Sequence, residues 1–172
     1  SSKALFAHRK EKASEGDEIM TASQAHGIIP RDEFIEKQGR VMQVVTGADI
    51  LKRVEPNDFV ISMRSFQGGL EWSKLQGAVS SAYVMLVPKE NVYPHFFSYL
   101  FKTKAYITAL RRTSDLVRDG QALRYANFAQ VRLPVIPSDE QKNIAKYIDQ
   151  TISDIDTTIS RAEREIELLN EY

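Results

Sequence analysis

A chain of 172 residues, 42% hydrophobic and 27% charged, has room for one ordinary domain and an appendage, with enough apolar side chains to bury a core without staples. It has no cysteine, which excludes disulfides and thiolate metal sites and fits a reducing cytoplasm. The formal charge is zero and no apolar run approaches a membrane span, so neither a wholly basic nucleic-acid coat nor a membrane protein is indicated. Ser1–Phe6 lacks the features of a signal peptide, and without an initiating Met it reads as a processed start or a boundary. Charge is unevenly distributed. Residues 1–101 balance, residues 102–137 carry seven basic against two acidic groups, and residues 138–172 carry four against nine.

Taken along the chain, Glu18–Ser23 reads as a short strand, His26-Gly27 as a turn and Ile28–Arg31 as an extended piece. Asp32–Gln38 suits a short helix with Asp32 as cap and Gly39 as stop. Arg40–Val45 is strand-like. Glu55-Pro56-Asn57-Asp58 carries turn chemistry, with Pro second and Asn/Asp after it. A buried strand is expected over Phe59–Met63, a loop over Ser65–Gly69, and one long strand over Val79–Val87, ended by Pro88. Pro94 suits a first helical turn, and Phe97, Leu100, Phe101, Ala105, Ile107 and Leu110 recur at helical spacing, with a break near Lys102–Lys104. Asp119-Gly120 marks a tight turn, and the prolines in Val131–Pro137 forbid a helix there.

The last segment has the clearest pattern. Ser138-Asp139-Glu140-Gln141 has the form of a capping box with acidic residues in the first turn. Ile148, Ile152, Ile155, Ile159, Ala162, Ile166 and Leu169 then alternate gaps of four and three, the 3.5-residue repeat of a coiled coil. Ser153, Asp154, Ser160 and Arg161 give the stripe polar flanks. At roughly 1.5 Å per residue such a helix is about 50 Å long, too long for this domain to cover. Its far end needs another helix; the alternative is a helix folded back across its own domain, which the strict repeat and polar flanks disfavour.

No motif for catalysis stands out. A base-amine methyltransferase needs an Asn/Asp-Pro-Pro-aromatic loop, and no Pro-Pro pair exists. Gln67-Gly68-Gly69 lacks the spacing and the Lys of a phosphate loop. His8, His26 and His95 lack metal-ligand spacing. Glu140-Gln141-Lys142 resembles a nuclease tail, but no convincing upstream Asp shares a metal with it, and capping explains it better. Ser62, Ser80 and Ser81 have no partnered base.

Other segments suit nucleic acid. Arg and Gln read guanine and adenine edges bidentately. Arg64, Gln67 and Lys74 fall in or near the first loop, and Arg118, Gln121 and Arg124 surround the Asp119-Gly120 turn. Arg111 and Arg112 end a helix and are phosphate candidates, although Arg there also serves the helix dipole. Ser23, Gln24 and His26 form a weaker third cluster.

Four segments together carry a family resemblance: Gly27-Ile28-Ile29-Pro30-Arg31, Val54 to Ser62 with its Glu-Pro-Asn-Asp turn, Ser80 to Leu86, and Leu133-Pro134-Val135-Ile136-Pro137-Ser138-Asp139-Glu140-Gln141 running on to Ala145. The pattern resembles a type I restriction–modification specificity subunit over nearly the whole chain, most specifically in the proline-punctuated segment that enters a helix at Glu140-Gln141. The resemblance implies a mixed α+β fold: a compact β-rich target recognition domain with packed helices over 1–137, then a long C-terminal coiled-coil helix over 138–172 as spacer and dimerisation surface, with Ile148, Ile152, Ile155, Ile159, Ile166 and Leu169 in contact. It implies reading of double-stranded DNA without catalysis. Modification (methyltransferase) subunits would dock directly and bring S-adenosylmethionine, and a restriction subunit would join indirectly with ATP and Mg²⁺; no cofactor is expected on this chain. Members usually carry two such units, whose helices pair antiparallel so that each domain reads half of a split target. With one unit, this chain is expected to be a fragment or a half-length subunit that dimerises through its helix. The alternative is a coiled-coil adaptor that ignores DNA, which zero net charge favours slightly.

Overall fold

The computed structural model describes residues 2–38, 50–113 and 125–170. The fold is mixed α+β. Its elements in chain order are α1 (Ser2–Leu5), β1 (Phe6–Arg9), β2 (Met20–Ser23), β3 (Gly27–Pro30), α2 (Arg31–Gln38), β4 (Lys52–Val54), β5 (Phe59–Ile61), α3 (Ser65–Gly68), β6 (Glu71–Trp72), β7 (Gly77–Val79), β8 (Val84–Pro88), α4 (Pro94–Leu100), α5 (Lys104–Arg111), α6 (Tyr125–Gln130) and α7 (Ser138–Asn170). The chain divides into two units between Val135 and Ile136.

In the first unit an antiparallel sheet runs in the order β1-β8-β5-β6, and two two-stranded antiparallel ladders, the hairpin β2-β3 and the longer-range pair β4-β7, complete the strand pairing. Isolated bridges join these pieces: Ile28 to Ser73, Ile19 to Ala78, and Lys12 to Lys52. Alternation along the central strands separates two cores, because successive side chains leave a strand on opposite faces. Val60 and Met85 join Met20, Ile28, Val54 and Val79 in one cluster. Phe59 faces the other way and meets Phe6 and Phe101 edge-on at 5.8 and 4.9 Å. Phe6 also lies 5.2 Å from Phe97 and 5.7 Å from Phe128, so β1, β5, α4 and α6 share one aromatic core.

Two ion pairs with buried carboxylates brace this unit. The Arg9 guanidinium donates to both oxygens of Asp58, at 2.7 and 3.2 Å, and Asp58 also accepts from the Glu55 amide. Lys102 donates to Glu71 at 2.7 Å. Burial pushes both carboxyls above the ordinary range, while the cations pull them back without cancelling it.

Several expected elements are present. Asn57 has φ 75° and Asp58 N donates to Glu55 O, as the Pro-Asn turn requires. The helical stretch after Pro94 breaks at 101–103, where the Thr103 hydroxyl accepts from Tyr106 N and caps α5. The long strand expected over Val79–Val87 is in fact two, β7 and β8, paired to different partners. Ser80 causes the division: its carbonyl accepts from Tyr83 N and its hydroxyl from Ala82 N, turning the chain. The strand expected to reach Met63 stops at Ile61, and the expected loop at Ser65–Gly69 begins with the single helical turn of α3. Asp32 lies inside the first turn of α2 rather than capping it. The Arg40–Val45 strand, the Gly39 stop and the Asp119-Gly120 turn fall outside the described residues.

The second unit contains α7, with 33 residues. Its first intrahelical bond runs from Gln141 N to Pro137 O, so Ser138 sits one residue inside the cap position expected for it. The Gln141 side-chain amide donates to Ile136 O. From Asp149 to Asn170 every residue is exposed. Among the described residues, no helix is long and apolar enough to cross a membrane.

Candidate nucleic-acid interface

The candidate site begins where β5 ends. Two buried serines bend the backbone there: Ser65 Oγ accepts from Ser62 N at 2.9 Å, and Ser62 Oγ accepts from Arg64 N at 3.3 Å. Ser65 N closes the turn on Ser62 O. With their hydroxyls spent on the backbone, the serines leave Met63 and Arg64 exposed just before α3 and Gln67 exposed on it. Gly69 ends the turn at φ 80° and ψ −164°, a conformation that side-chain-bearing residues hardly reach.

Three other parts of the fold close on this turn. Gln24, from the β2–β3 connection, donates its side-chain amide to Arg64 O at 3.2 Å and lies against Gly68, where a Cβ would stand 2.6 Å from it. Arg111, at the end of α5, donates its Nε to the Phe66 carbonyl. The Tyr83 phenol bonds to Thr21 and to the Ala22 backbone; burial raises its pKa, and those bonds and the nearby Arg64 charge pull it back. Gln24, Arg64, Gln67 and Arg111, drawn from three separate sequence clusters, thus gather around one helical turn. Arg112 follows as the exposed cap of α5.

The other candidates lie elsewhere. Ser23 is buried and its hydroxyl accepts from His26 N, so it shapes the turn, whereas His26 is exposed. Lys74 lies in a different connection from Arg64, between β6 and β7, with its ammonium 5.3 Å from the centre of the Trp72 ring. Arg118, Gln121 and Arg124 lie outside the described residues. On α7, Ile152, Ile155, Ile159, Ile166 and Leu169 are exposed, the last at 78%, and Ile148 is half-buried.

Among the described residues, no carboxylate pairs with Arg64, Lys74 or Arg112, whereas Arg53 and Lys102 are each held by one and Arg9 by two. A cation without a counter-charge keeps its full attraction for phosphate. Also among the described residues, no three His, Asp or Glu side chains converge as a metal site would require.

Sequence reasoning overlooked the Ser62/Ser65 brace, although two serines three residues apart after a strand signal such a turn. It also overlooked the stacked rings of Trp72, His95 and Tyr99, spaced 5.4 and 5.2 Å. The i, i+4 spacing of His95 and Tyr99 on α4 was the available clue.

No protein-family model and no curated protein matches the sequence. The fold is similar to that in the crystal structure of the HsdS subunit from Thermoanaerobacter tengcongensis, with 14% sequence identity and a TM-score of 0.50. The similarity covers 90% of this chain and 37% of that one, and at this identity it is a likeness of fold.

Proposed function

We propose that the chain reads DNA sequence for a type I restriction–modification complex, recognising one half of a bipartite target and docking modification subunits through its helix. The observation that carries this reading is the fold shared with HsdS over nearly the whole chain. The cluster around α3 supports it: Arg64 and Gln67 have the chemistry for base edges, and Arg112 has the charge for phosphate. On this reading the chain is not itself an enzyme. S-adenosylmethionine, ATP and Mg²⁺ belong to partner subunits in the cytoplasm, and the restriction subunit joins indirectly.

A gel-shift selection with randomised duplexes tests it. Binding should weaken steeply with salt and favour one short sequence. Arg64→Ala or Gln67→Ala should lose about 1–3 kcal/mol of discrimination at a single base pair, while Arg112→Ala should weaken all duplexes alike and lower the salt slope by about 1. Arg111→Ala is the less clean probe, because it also removes the tie to Phe66. If no duplex shifts, the adaptor reading takes its place; if the substitutions leave selection unchanged, the assignment of the site to α3 fails.

A further inference from the structure

The apolar seam of α7 has a charged border of one sign. The residues that follow the seam positions Ile148, Ile155 and Ala162 are Asp149, Asp156 and Glu163. Those that precede Ile152, Ile159 and Ile166 are Thr151, Thr158 and Glu165. In a coiled coil these two rows flank the contact and choose the partner. Both rows are exposed. Neither row contains a cation: Arg161 and Arg164 fall at outer positions of the repeat. Among the described residues, no Lys or Arg pairs with Asp156, Glu163 or Glu165; the Lys142–Asp139 pair of α7 lies at its start, away from these rows.

A second copy does not complement this border. In an antiparallel pair each row meets its own kind, so Asp156 and Glu163 would face carboxylates. In a parallel pair Asp156 and Glu163 would face threonines, and Glu165 would face Asn170. We infer that the seam is built for a helix of different sequence, one apolar along its own seam and carrying Lys or Arg in both flanking rows, in preference to another copy of α7. The inference rests on the helix being an assembly surface and not on DNA reading. It goes against the homodimeric half-subunit, one of the two alternatives read from the sequence.

The test uses the full chain and two synthetic helical peptides that share an Ile/Leu seam, one flanked by Lys and the other by Glu. Sedimentation should find the chain alone monomeric at micromolar concentration. Fluorescence anisotropy should give the Lys-flanked peptide at least about tenfold tighter binding than the Glu-flanked one, four opposite-charge contacts being enough for that ratio. The gap should shrink as salt rises. Asp156→Lys with Glu163→Lys should abolish the preference, and a Lys-flanked peptide with serine along its seam should not bind. Equal, salt-independent affinity for both peptides would overturn the inference, as would binding of neither or a stable homodimer that excludes the Lys-flanked peptide. A DNA shift on the same sample scores the reading function separately.

Discussion

Gly69→Ala is expected to cost at least about 3 kcal/mol, a large share of a domain's typical stability. Two effects add. The glycine holds φ 80° and ψ −164°, a region closed to residues with a Cβ. The new Cβ would also stand 2.0 Å from the Phe101 carbonyl oxygen, which is backbone and cannot swing aside. Phe101 belongs to the aromatic core, so relief by moving its carbonyl would disturb the packing against Phe6, Phe59 and Phe97. Gly16 provides the control: its φ is also positive, at 89°, but a Cβ there would meet nothing within 4 Å. Gly16→Ala should therefore lose only about 1 kcal/mol. Urea unfolding of the two variants checks the contrast, and similar losses for both would refute the steric account.

Arg9→Met is expected to cost about 3–5 kcal/mol at neutral pH, because it strands a carboxylate that is 1% exposed. Burial already raises Asp58 above the ordinary aspartate value, and Arg9 is the principal opposing influence. Without the guanidinium the carboxyl rises further, so the folded state holds a proton that the unfolded chain has released. Stability then falls as pH rises from the unfolded value of about 3.9 through the folded one, and the loss is complete above it. The variant should lie closer to the parent at mildly acidic pH than at pH near 8 in chemical denaturation. Asp58→Asn added to Arg9→Met should recover part of the loss, since an amide oxygen can still accept from Glu55 N. A deficit that does not change with pH would show that the charge is not its source.

How much of this was legible in the sequence depended on the range of the interactions concerned. Pro94, the Thr103 break, the Pro56-Asn57 turn and the isoleucine repeat of α7 are set by neighbours within a turn or two, and each was readable. The strands β1, β4 and β6, with two to four residues apiece, carry too little pattern, and distant partners determine them: Phe6 is buried by four other phenylalanines. The Val79–Val87 stretch misled because its apolar alternation continues across Ser80, whose hydroxyl breaks the ladder locally. At the site, residue types pointed to Arg64 and Gln67, but nothing local signalled that Gln24 and Arg111 would close on the same turn from 40 and 45 residues away.

The Ser62/Ser65 brace separates the shape of its turn from the surface it displays. Backbone geometry there depends on two hidden hydroxyls and one glycine, whereas Met63, Arg64 and Gln67 project outward with little packing duty. Such a fingertip can be re-lettered while its knuckle stays fixed. A library that randomises those three positions and keeps both serines and Gly69 should return mostly folded clones; on the proposed DNA-reading function they would carry many different target preferences, each reached without a folding penalty.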